Sequence, residues 1–308
     1  MSPKINSFSA RQHMRRKTFE IYRYQDNYPD EVALHHHDFF EIYLLMGGNL
    51  NYTVESRSYR LTEGDLLLIS PMELHQPMQS GELQKYERFV LWIDKTYLHQ
   101  YSQLGFDLVR CFDTKAPGHT NLLRPDNLSV QYLVFLMEKL QRESDSVEFA
   151  SELCAQSYLV QILVELNRLA QQRPKNQEIR DKSESVVSAV LNYINSHYHE
   201  DLSLDILANK FFISKYHLSR EFNRLVGTSV YRYVVQKRLA IARQLMSEGV
   251  PSTTVFQQCG FGDYSNFYRA FKAEYQISPK EYATQLKEEN QRSAELGRER
   301  SIFLREHL

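Results

Sequence analysis

Apolar and polar residues alternate along much of the first hundred residues, in the pattern of β-strands with one buried face. Leu50, Tyr52 and Val54 fall on one side of an extended chain, and Asn51 and Thr53 fall on the other. Several short strands closed by turns are typical of a β-sandwich or β-barrel. The predicted segments are a strand at 49–56, a turn at 56–58, two strands within 59–71 that a Gly-Asp turn separates, and an apolar strand at 88–94.

Near residue 127 the apolar period changes to that of a helix. In two successive segments, apolar side chains recur three, four and seven positions apart, which places them on one helix face. We therefore predict helices over residues 128–141 and 147–170, with a polar break at 142–146. The apolar positions are Leu133, Leu136, Met137 and Leu140 in the first helix, and Leu159, Ile162, Leu163 and Leu166 in the second.

A polar, proline-containing stretch without any period follows these helices and is predicted to be an interdomain linker. After it, the pattern is helical almost to the end, where a charge-rich segment carries no apolar period. The predicted organisation is a β domain at 1–126, a helical dimerisation or packing segment at 127–170, a linker at 171–184, an all-α domain at 185–286 and a charged tail at 287–308.

Two short helices joined by a tight connection are predicted within residues 202–223, LSLDILANKFFISKYHLSREFN. Ser203 and Ser214 are suitable N-caps for the first and second helix. Leu218 and Phe222 turn one face of the second helix towards a core. This arrangement is a helix-turn-helix.

The same pattern recurs about fifty residues later, within residues 253–282. Asp263 is the predicted cap of its second helix, and Phe267 and Phe271 face inward. Between the two units, residues 229–246 predict one continuous helix that would hold them in a fixed relation.

The outer faces of the two second helices carry hydroxyl, amide and basic side chains, which can donate to phosphates and base edges. Arg220 and Arg269 occupy equivalent places, in Leu-x-Arg-x-Phe and Phe-x-Arg-x-Phe. The candidate DNA-binding residues are Lys215, Tyr216, Ser219, Arg220 and Asn223 in the first unit, and Tyr264, Ser265, Tyr268, Arg269 and Lys272 in the second.

The stretch LHHHDFFEIYLLMGG places three consecutive histidines ahead of an apolar strand. Strand parity predicts that His35, His37, Glu41 and Tyr43 share one face, with His36 pointing outward. Imidazoles and a carboxylate can bind Zn, Fe, Mn or Ni. The same residues could instead line a small-molecule pocket or form a polar rim.

Composition narrows the class of protein. The chain has 308 residues and a net charge of −1, but residues 182–287 hold 13 Lys and Arg against 9 Asp and Glu, so the basic surface lies in the C-terminal part. Three widely spaced cysteines favour a reducing compartment. We expect no signal peptide and no membrane segment, and hence a cytoplasmic protein.

Residues 185–283 resemble the AraC/XylS family of bacterial transcription regulators. The matching motifs are LSLDILA, SKYHLSREF, CGF, DYSNFYRAFK and SPKEY. Two positions depart from the family: Phe256 replaces a small alanine, and Gln276 replaces a glycine. The resemblance implies two recognition helices in successive major grooves about 34 Å apart. The implied base-facing residues are Tyr216, Ser219 and Arg220, and Tyr264, Ser265, Tyr268 and Arg269.

The N-terminal strands resemble the sugar-sensing cupin domain of this family, through HHHDFFE, GDLLLISP and His75. They also look like metal-binding cupins, but PMELH lacks the usual P-x-G before its histidine. The resemblance implies a sensor that works without metal, so no metal or other cofactor is expected. The predicted effector-binding residues are His35, His37, Glu41, Tyr43, His75 and Trp92.

The expected fold is therefore α+β and multidomain: a cupin-like β-barrel with dimerisation helices, then an all-α domain with two helix-turn-helix motifs. The resemblance implies a homodimeric activator of a carbohydrate operon, without enzyme activity, that binds double-stranded operator DNA and a small-molecule effector, a sugar by preference, and contacts RNA polymerase. Two alternatives stay open, a metal-dependent cupin enzyme with a DNA-binding appendage and a regulator that a protein partner controls.

Overall fold

The chain folds into a β-rich unit and an all-helical unit, in the order that the change of apolar period predicts. In the computed structural model the described residues are 13–26, 32–78, 86–102, 106–172 and 186–288. The two units comprise residues 1–191 with 225–227, and residues 192–224 with 228–308. The predicted linker lies outside the described residues from position 173 onward, and the predicted tail from position 289.

Two antiparallel sheets form the first unit. One has five strands in the order β1-β7-β2-β5-β8, and the other has three in the order β4-β3-β6. A bridge between His35 and His75 joins the segment ahead of β2 to β6. The strands are β1 Phe19–Asp26, β2 Phe39–Gly47, β3 Leu50–Val54, β4 Arg57–Leu61, β5 Leu66–Ile69, β6 His75–Met78, β7 Tyr86–Asp94 and β8 Leu122–Leu123.

Alternate residues of β2 enter two different cores, as the two-residue period of a strand requires. Phe39, Tyr43 and Leu45 belong to an inner cluster between the two sheets, which also contains the predicted inward residues of β3. Ile42 and Leu44 belong to an outer cluster between the five-stranded sheet and two helices. The flattened barrel is thus buried on one side by helices, so β2 is apolar on both faces.

The two helices of the outer cluster are α2 Asn127–Ser144 and α3 Ser151–Gln171, which follow the short α1 Lys95–Ser102. All eight predicted apolar positions of α2 and α3 are buried. The predicted start of α3 at residue 147 is wrong, because residues 147–150 form a loop in which Val147 and Phe149 are exposed. A left-handed Ala150, at φ 59°, separates this loop from the helix.

The turn between β3 and β4 is also one residue earlier than predicted. It consists of Glu55 and Ser56, and β4 already begins at Arg57. Glu55 adopts φ 51°, and its carboxylate accepts a hydrogen bond from the Leu74 amide at 2.9 Å. That tertiary contact, which local turn preferences do not encode, accompanies the shorter turn.

The second unit contains the two predicted helix-turn-helix motifs. Predicted N-caps are confirmed: Ser203 accepts from the Ile206 amide, Ser214 from the His217 amide and Asp263 from the Asn266 amide. Its helices are α4 Val186–His197, which begins within the first unit, α5 Leu204–Lys210, α6 Lys215–Val226, α7 Val230–Ser247, α8 Val255–Gln258 and α9 Tyr264–Tyr275, and residues 279–288 are also helical.

Gly260 fixes the turn of the second motif. Its φ is +81°, and a Cβ atom there would lie 2.7 Å from the backbone of Tyr198 and His199. Because no side chain fits at that distance, only glycine allows the turn to approach the end of α4. Arg238 of α7 ties down the same segment by donating to the carbonyl oxygens of Tyr198 and Glu200.

Candidate functional site

The first candidate recognition surface is the exposed face of α6. Leu218 and Phe222 are buried and fix the rotation of this helix, and the Phe222 ring packs edge-on against Tyr233 of α7 at 5.7 Å. Every predicted DNA-contact residue of the first helix-turn-helix is exposed on the opposite face of α6. Tyr216, Ser219, Arg220 and Asn223 line one shallow groove together with two residues that the sequence analysis did not select, Glu221 and Arg224.

Glu221 holds both arginines of this groove. It accepts two hydrogen bonds from Arg224, at 3.0 and 2.8 Å, and lies 3.4 Å from Arg220 Nη2. The Arg224 hydrogen bond, with the charges of both guanidinium groups, lowers the pKa of Glu221. The spacing of Glu221 and Arg224, three residues apart on a helix, was a signal for this pair. Lys215, at the start of α6, is ion-paired with Asp205 of α5.

The second candidate recognition surface is the exposed face of α9. Phe267 and Phe271 are buried, whereas Ser265, Arg269 and Lys272 are exposed and Tyr268 is half-buried. Tyr264 is exposed but leans on Phe256, with ring centroids 5.9 Å apart and nearly perpendicular. Phe256, which stands where the family has a small alanine, thus packs against the predicted contact residue Tyr264.

A short chain of hydrogen bonds orients Arg269. The Arg269 Nη2 atom donates to Asn266 Oδ1 at 2.6 Å, and Asn266 Nδ2 donates to Asp263 Oδ2 at 2.6 Å. Asp263 also caps the helix. Arg220 and Arg269 therefore occupy equivalent positions and are both exposed, but their partners differ. Arg220 of α6 contacts the carboxylate of Glu221, whereas Arg269 of α9 contacts the carboxamide of Asn266. Asn266 was not selected from the sequence.

The second candidate site lies inside the barrel. His37, Glu41, Tyr43, His75 and Trp92 are buried there, and His35 is half-buried at its edge. Glu41 Oε2 accepts a hydrogen bond from Trp92 Nε1 at 2.8 Å and lies 3.2 Å from His37 Nε2. The Tyr43 hydroxyl group is hydrogen-bonded to the Tyr86 hydroxyl group. The structure thus brings the predicted effector residues together on one inner surface.

The structure corrects the prediction for His36. The alternation of a strand predicts that this side chain points outward, but it is buried, with 3% of its surface exposed. Residues 36–38 precede β2, so the two-residue period of that strand does not govern them. His36 is covered by neighbouring structure, and it is not among the three residues whose ligand atoms converge near Glu41.

Each predicted histidine of the barrel is held through Nδ1 by a backbone carbonyl oxygen. The oxygens are those of Ala33 for His35 at 2.8 Å, of Phe39 for His37 at 2.9 Å and of Glu73 for His75 at 2.8 Å. Burial and the neighbouring His37 lower the pKa of His35 to about 4. Burial, followed by His35 and His37, lowers the pKa of His75 well below its usual range.

Two further inner residues were missed. Tyr52 stacks on the His75 ring at 6.3 Å, and Arg88 is 3% exposed, with its guanidinium group 4.8 Å from the Tyr24 ring and 4.2 Å from the Tyr86 ring. The signal was available, because Arg88 is four positions from Trp92 on the same strand and so shares its face. A positive group therefore lies in the wall of the inner cluster.

Two family models match the chain, one in its N-terminal part and one in its C-terminal part. Residues 18–182, more than half of the chain, match the family model described as AraC-like ligand binding domain. Residues 207–285 match a helix-turn-helix domain. Within the described ranges, no helix is both long and apolar enough to cross a membrane.

Individual relatives share between 15% and 31% of their residues with this chain. The HTH-type transcriptional activator RhaS of Escherichia coli (strain K12) is 25% identical over 248 residues, which are 80% of this chain and 86% of RhaS. A variant of apo ToxT from Vibrio cholerae covers 88% of this chain and 98% of its own, at 15% identity and a TM-score of 0.39. The C-terminal domain of the response regulator yesN from Fusobacterium nucleatum covers 31% of this chain and 94% of its own, at 31% identity and a TM-score of 0.30.

Proposed function

The chain belongs to the AraC family of transcription regulators, and from that premise we propose that it activates a carbohydrate uptake or catabolism operon when a sugar binds in its barrel. The family consists of regulators rather than enzymes, so the chain is not a cupin enzyme with a DNA-binding appendage. The observation that carries the DNA-binding part of the proposal is the occurrence of Arg220 and Arg269 at equivalent exposed positions of α6 and α9.

The proposed DNA interface consists of the exposed faces of these two helices. Their buried residues fix which side chains point outward, and those side chains include three arginines, two lysines and three tyrosines. Arginine can donate two parallel hydrogen bonds to guanine O6 and N7, and lysine and tyrosine can donate to phosphate oxygens. We propose that α6 and α9 enter successive major grooves of one operator.

The proposed effector site is the inner surface of the barrel. Tyr43, Tyr52 and Trp92 offer aromatic faces that suit the C–H surfaces of a sugar, and Glu41 and the imidazoles offer hydrogen-bond partners for its hydroxyl groups. These side chains come from different strands, so a bound molecule would contact both sheets. Such a ligand can change DNA affinity only if it binds two states of the protein unequally.

The proposed partner on the helical side is a second copy of the chain. Leu128, Tyr132 and Phe135 follow the helical spacing on α2 and are exposed, and Leu153 of α3 is exposed as well. Tyr132 lies 3.4 Å from Gln161 of α3, so the stripe on α2 borders the outer face of α3. A patch of this kind on a symmetric homodimer would be self-complementary.

Activation would require a contact with RNA polymerase from the DNA-bound dimer. The name of the relative RhaS, a transcriptional activator, supports activation over repression.

The proposed function is tested with the purified full-length chain in two steps. Selection from random double-stranded DNA should yield a defined sequence with two contacted segments about one helical turn apart. Thermal unfolding is then measured with a panel of mono- and oligosaccharides, where a true effector at 100 times its Kd should stabilise the fold by about 2.7 kcal/mol. Selection without sequence enrichment would contradict the DNA proposal, and a flat response to every sugar would contradict the effector proposal.

A further inference from the structure

The inner cluster contains a compact group of metal-ligand atoms. One ligand atom each from His37, Glu41 and His75 lies within 4.8 Å of the other two, and all three residues are buried. A sugar ring cannot enter among atoms this close together, whereas a single ion can. The group is therefore smaller than the effector that the whole inner surface would take.

The hydrogen bonds of the imidazoles decide which nitrogen faces this group. A carbonyl oxygen can only accept, so Nδ1 of His37 and Nδ1 of His75 must carry the proton in their bonds to Phe39 and Glu73. In a neutral imidazole the lone pair then lies on Nε2. Among the described residues, no hydrogen-bond partner reaches Nε2 of the completely buried His75.

Glu41 places a negative charge beside these lone pairs. Its Oε2 atom lies 3.2 Å from His37 Nε2 and accepts a hydrogen bond from Trp92 Nε1 at 2.8 Å. A carboxylate oxygen and a nitrogen lone pair this close together repel each other unless a proton or a metal ion lies between them. The group therefore lacks one positive charge.

We propose that His37, Glu41 and His75 bind one divalent transition-metal ion, for which zinc is the test ion. Two neutral imidazoles and one carboxylate form a donor set that zinc takes in proteins, and such a site keeps its fourth position open. Metal-bound histidines commonly donate their other ring nitrogen to a carbonyl oxygen, as both histidines do here. This departs from the sequence expectation of a metal-free sensor.

The ion would form one end of the proposed effector pocket. Its open position would face the inner cluster, where an oxygen atom of the effector could occupy it. This inference shares residues with the proposed effector site but does not depend on the effector, because the ion is expected to bind without it.

The test uses the full-length chain with Cys154→Ser, since Cys154 is an exposed thiol that could bind zinc by itself. After chelator treatment and its removal, zinc binding is measured by calorimetry against a competing weak chelator. We expect one zinc ion per chain and a raised Tm. Cobalt(II) in its place should give the absorption of a four- or five-coordinate nitrogen and oxygen site.

The variants are Glu41→Gln and His75→Gln, with His36→Gln as the matched control at a neighbouring buried histidine. Glu41→Gln keeps the shape of the side chain and its bond with Trp92. Loss of an outer-shell partner alone costs a metal site roughly 10–100-fold in affinity, so each ligand variant should lose at least that much. His36→Gln should keep the affinity, and circular dichroism checks that each variant is folded.

Two outcomes would overturn the inference. The first is that the parent chain binds no zinc, a result that needs no folded variant. Equal affinity in the parent and both ligand variants would place the ion elsewhere. The sugar panel is repeated on metal-free protein. A sugar response in a chain that binds no zinc would reject the metal site and support the effector site. Zinc binding without any sugar response would support the metal site and reject the effector proposal.

Discussion

Arg220 and Arg269 are equivalent by position, but their neighbours give them different freedom. Arg269 donates to the neutral Asn266, which leaves its charge uncompensated, whereas Arg220 and Arg224 share the carboxylate of Glu221. A guanidinium group that must leave an ion pair before it reaches a base contributes less to affinity and more to discrimination. The first helix should therefore be the more selective of the two.

Arg220→Ala and Arg269→Ala should each weaken binding to the selected operator by about 1–3 kcal/mol, because each removes a candidate bidentate contact with a base. Binding is measured by fluorescence anisotropy at fixed salt. Arg60→Ala, which removes an exposed arginine from the β-rich unit, should leave the Kd unchanged. Equal losses on specific and random DNA would show that these arginines contact only phosphates.

Glu221→Gln should strengthen binding to random DNA and make the dependence of log K on log salt steeper by about one unit. The reason is that Arg220 and Arg224 are released to contact phosphates. Glu63→Gln, which removes an exposed charge from the other unit, tests the effect of net charge alone. A reduced affinity for random DNA would mean that Glu221 serves only to support the helix.

At the scale of the element, the ends of helices carry much of the information that local sequence can supply. Ser203, Ser214 and Asp263 begin helices where a capping residue predicts a start. The end of α9 is different, since Gln276 adopts φ 61° in the left-handed region that glycine prefers. Its side-chain amide donates to the Ala273 carbonyl oxygen at 2.8 Å, which offsets part of the strain.

Gln276→Gly should increase the free energy of unfolding by about 0.5–1 kcal/mol, because relief of the left-handed strain exceeds the extra backbone entropy of glycine in the unfolded chain. Denaturant unfolding of the full chain, followed by a probe in the helical unit, measures the change. Gln276→Ala removes the same side-chain hydrogen bond without relieving the strain and should destabilise the unit. A gain in both variants would point to a cause other than backbone strain.

At the scale of the whole molecule, α2 carries a stripe of apolar side chains that is exposed among the described residues. Leu128, Tyr132 and Phe135 lie opposite the buried face of that helix, which packs on the five-stranded sheet. An amphipathic helix needs only one apolar face to fold against its sheet. The exposed second face is the surface that we propose a second copy of the chain covers.

Phe135→Glu should convert the proposed dimer to a monomer and weaken operator binding through the loss of the second DNA-binding unit. Sedimentation equilibrium measures the association directly. Phe106→Glu makes the same change at an exposed phenylalanine outside α2 and α3 and should leave association unchanged. A Phe135→Glu chain that still dimerises would move the interface to another surface.

The sequence by itself determined the elements and their faces. The period of apolar residues fixed the strands, the two packing helices and both recognition helices, because helix and strand periods are local properties of the chain. Capping residues fixed several helix starts, and strand parity placed Glu41 and Tyr43 on one inner surface. The motifs of the last third sufficed to indicate the family, which the comparisons confirm.

Only the tertiary structure decided which residues meet. The contacts of Arg88 with the Tyr24 ring and of Tyr52 with the His75 ring, the burial of His36 and the early turn at Glu55 all depend on neighbours far along the chain. The same is true of the tautomers of His37 and His75, which carbonyl oxygens of the folded backbone set. Sequence spacing gives the types of ligand that a site offers, but distances and proton positions arise only when separate strands are brought together.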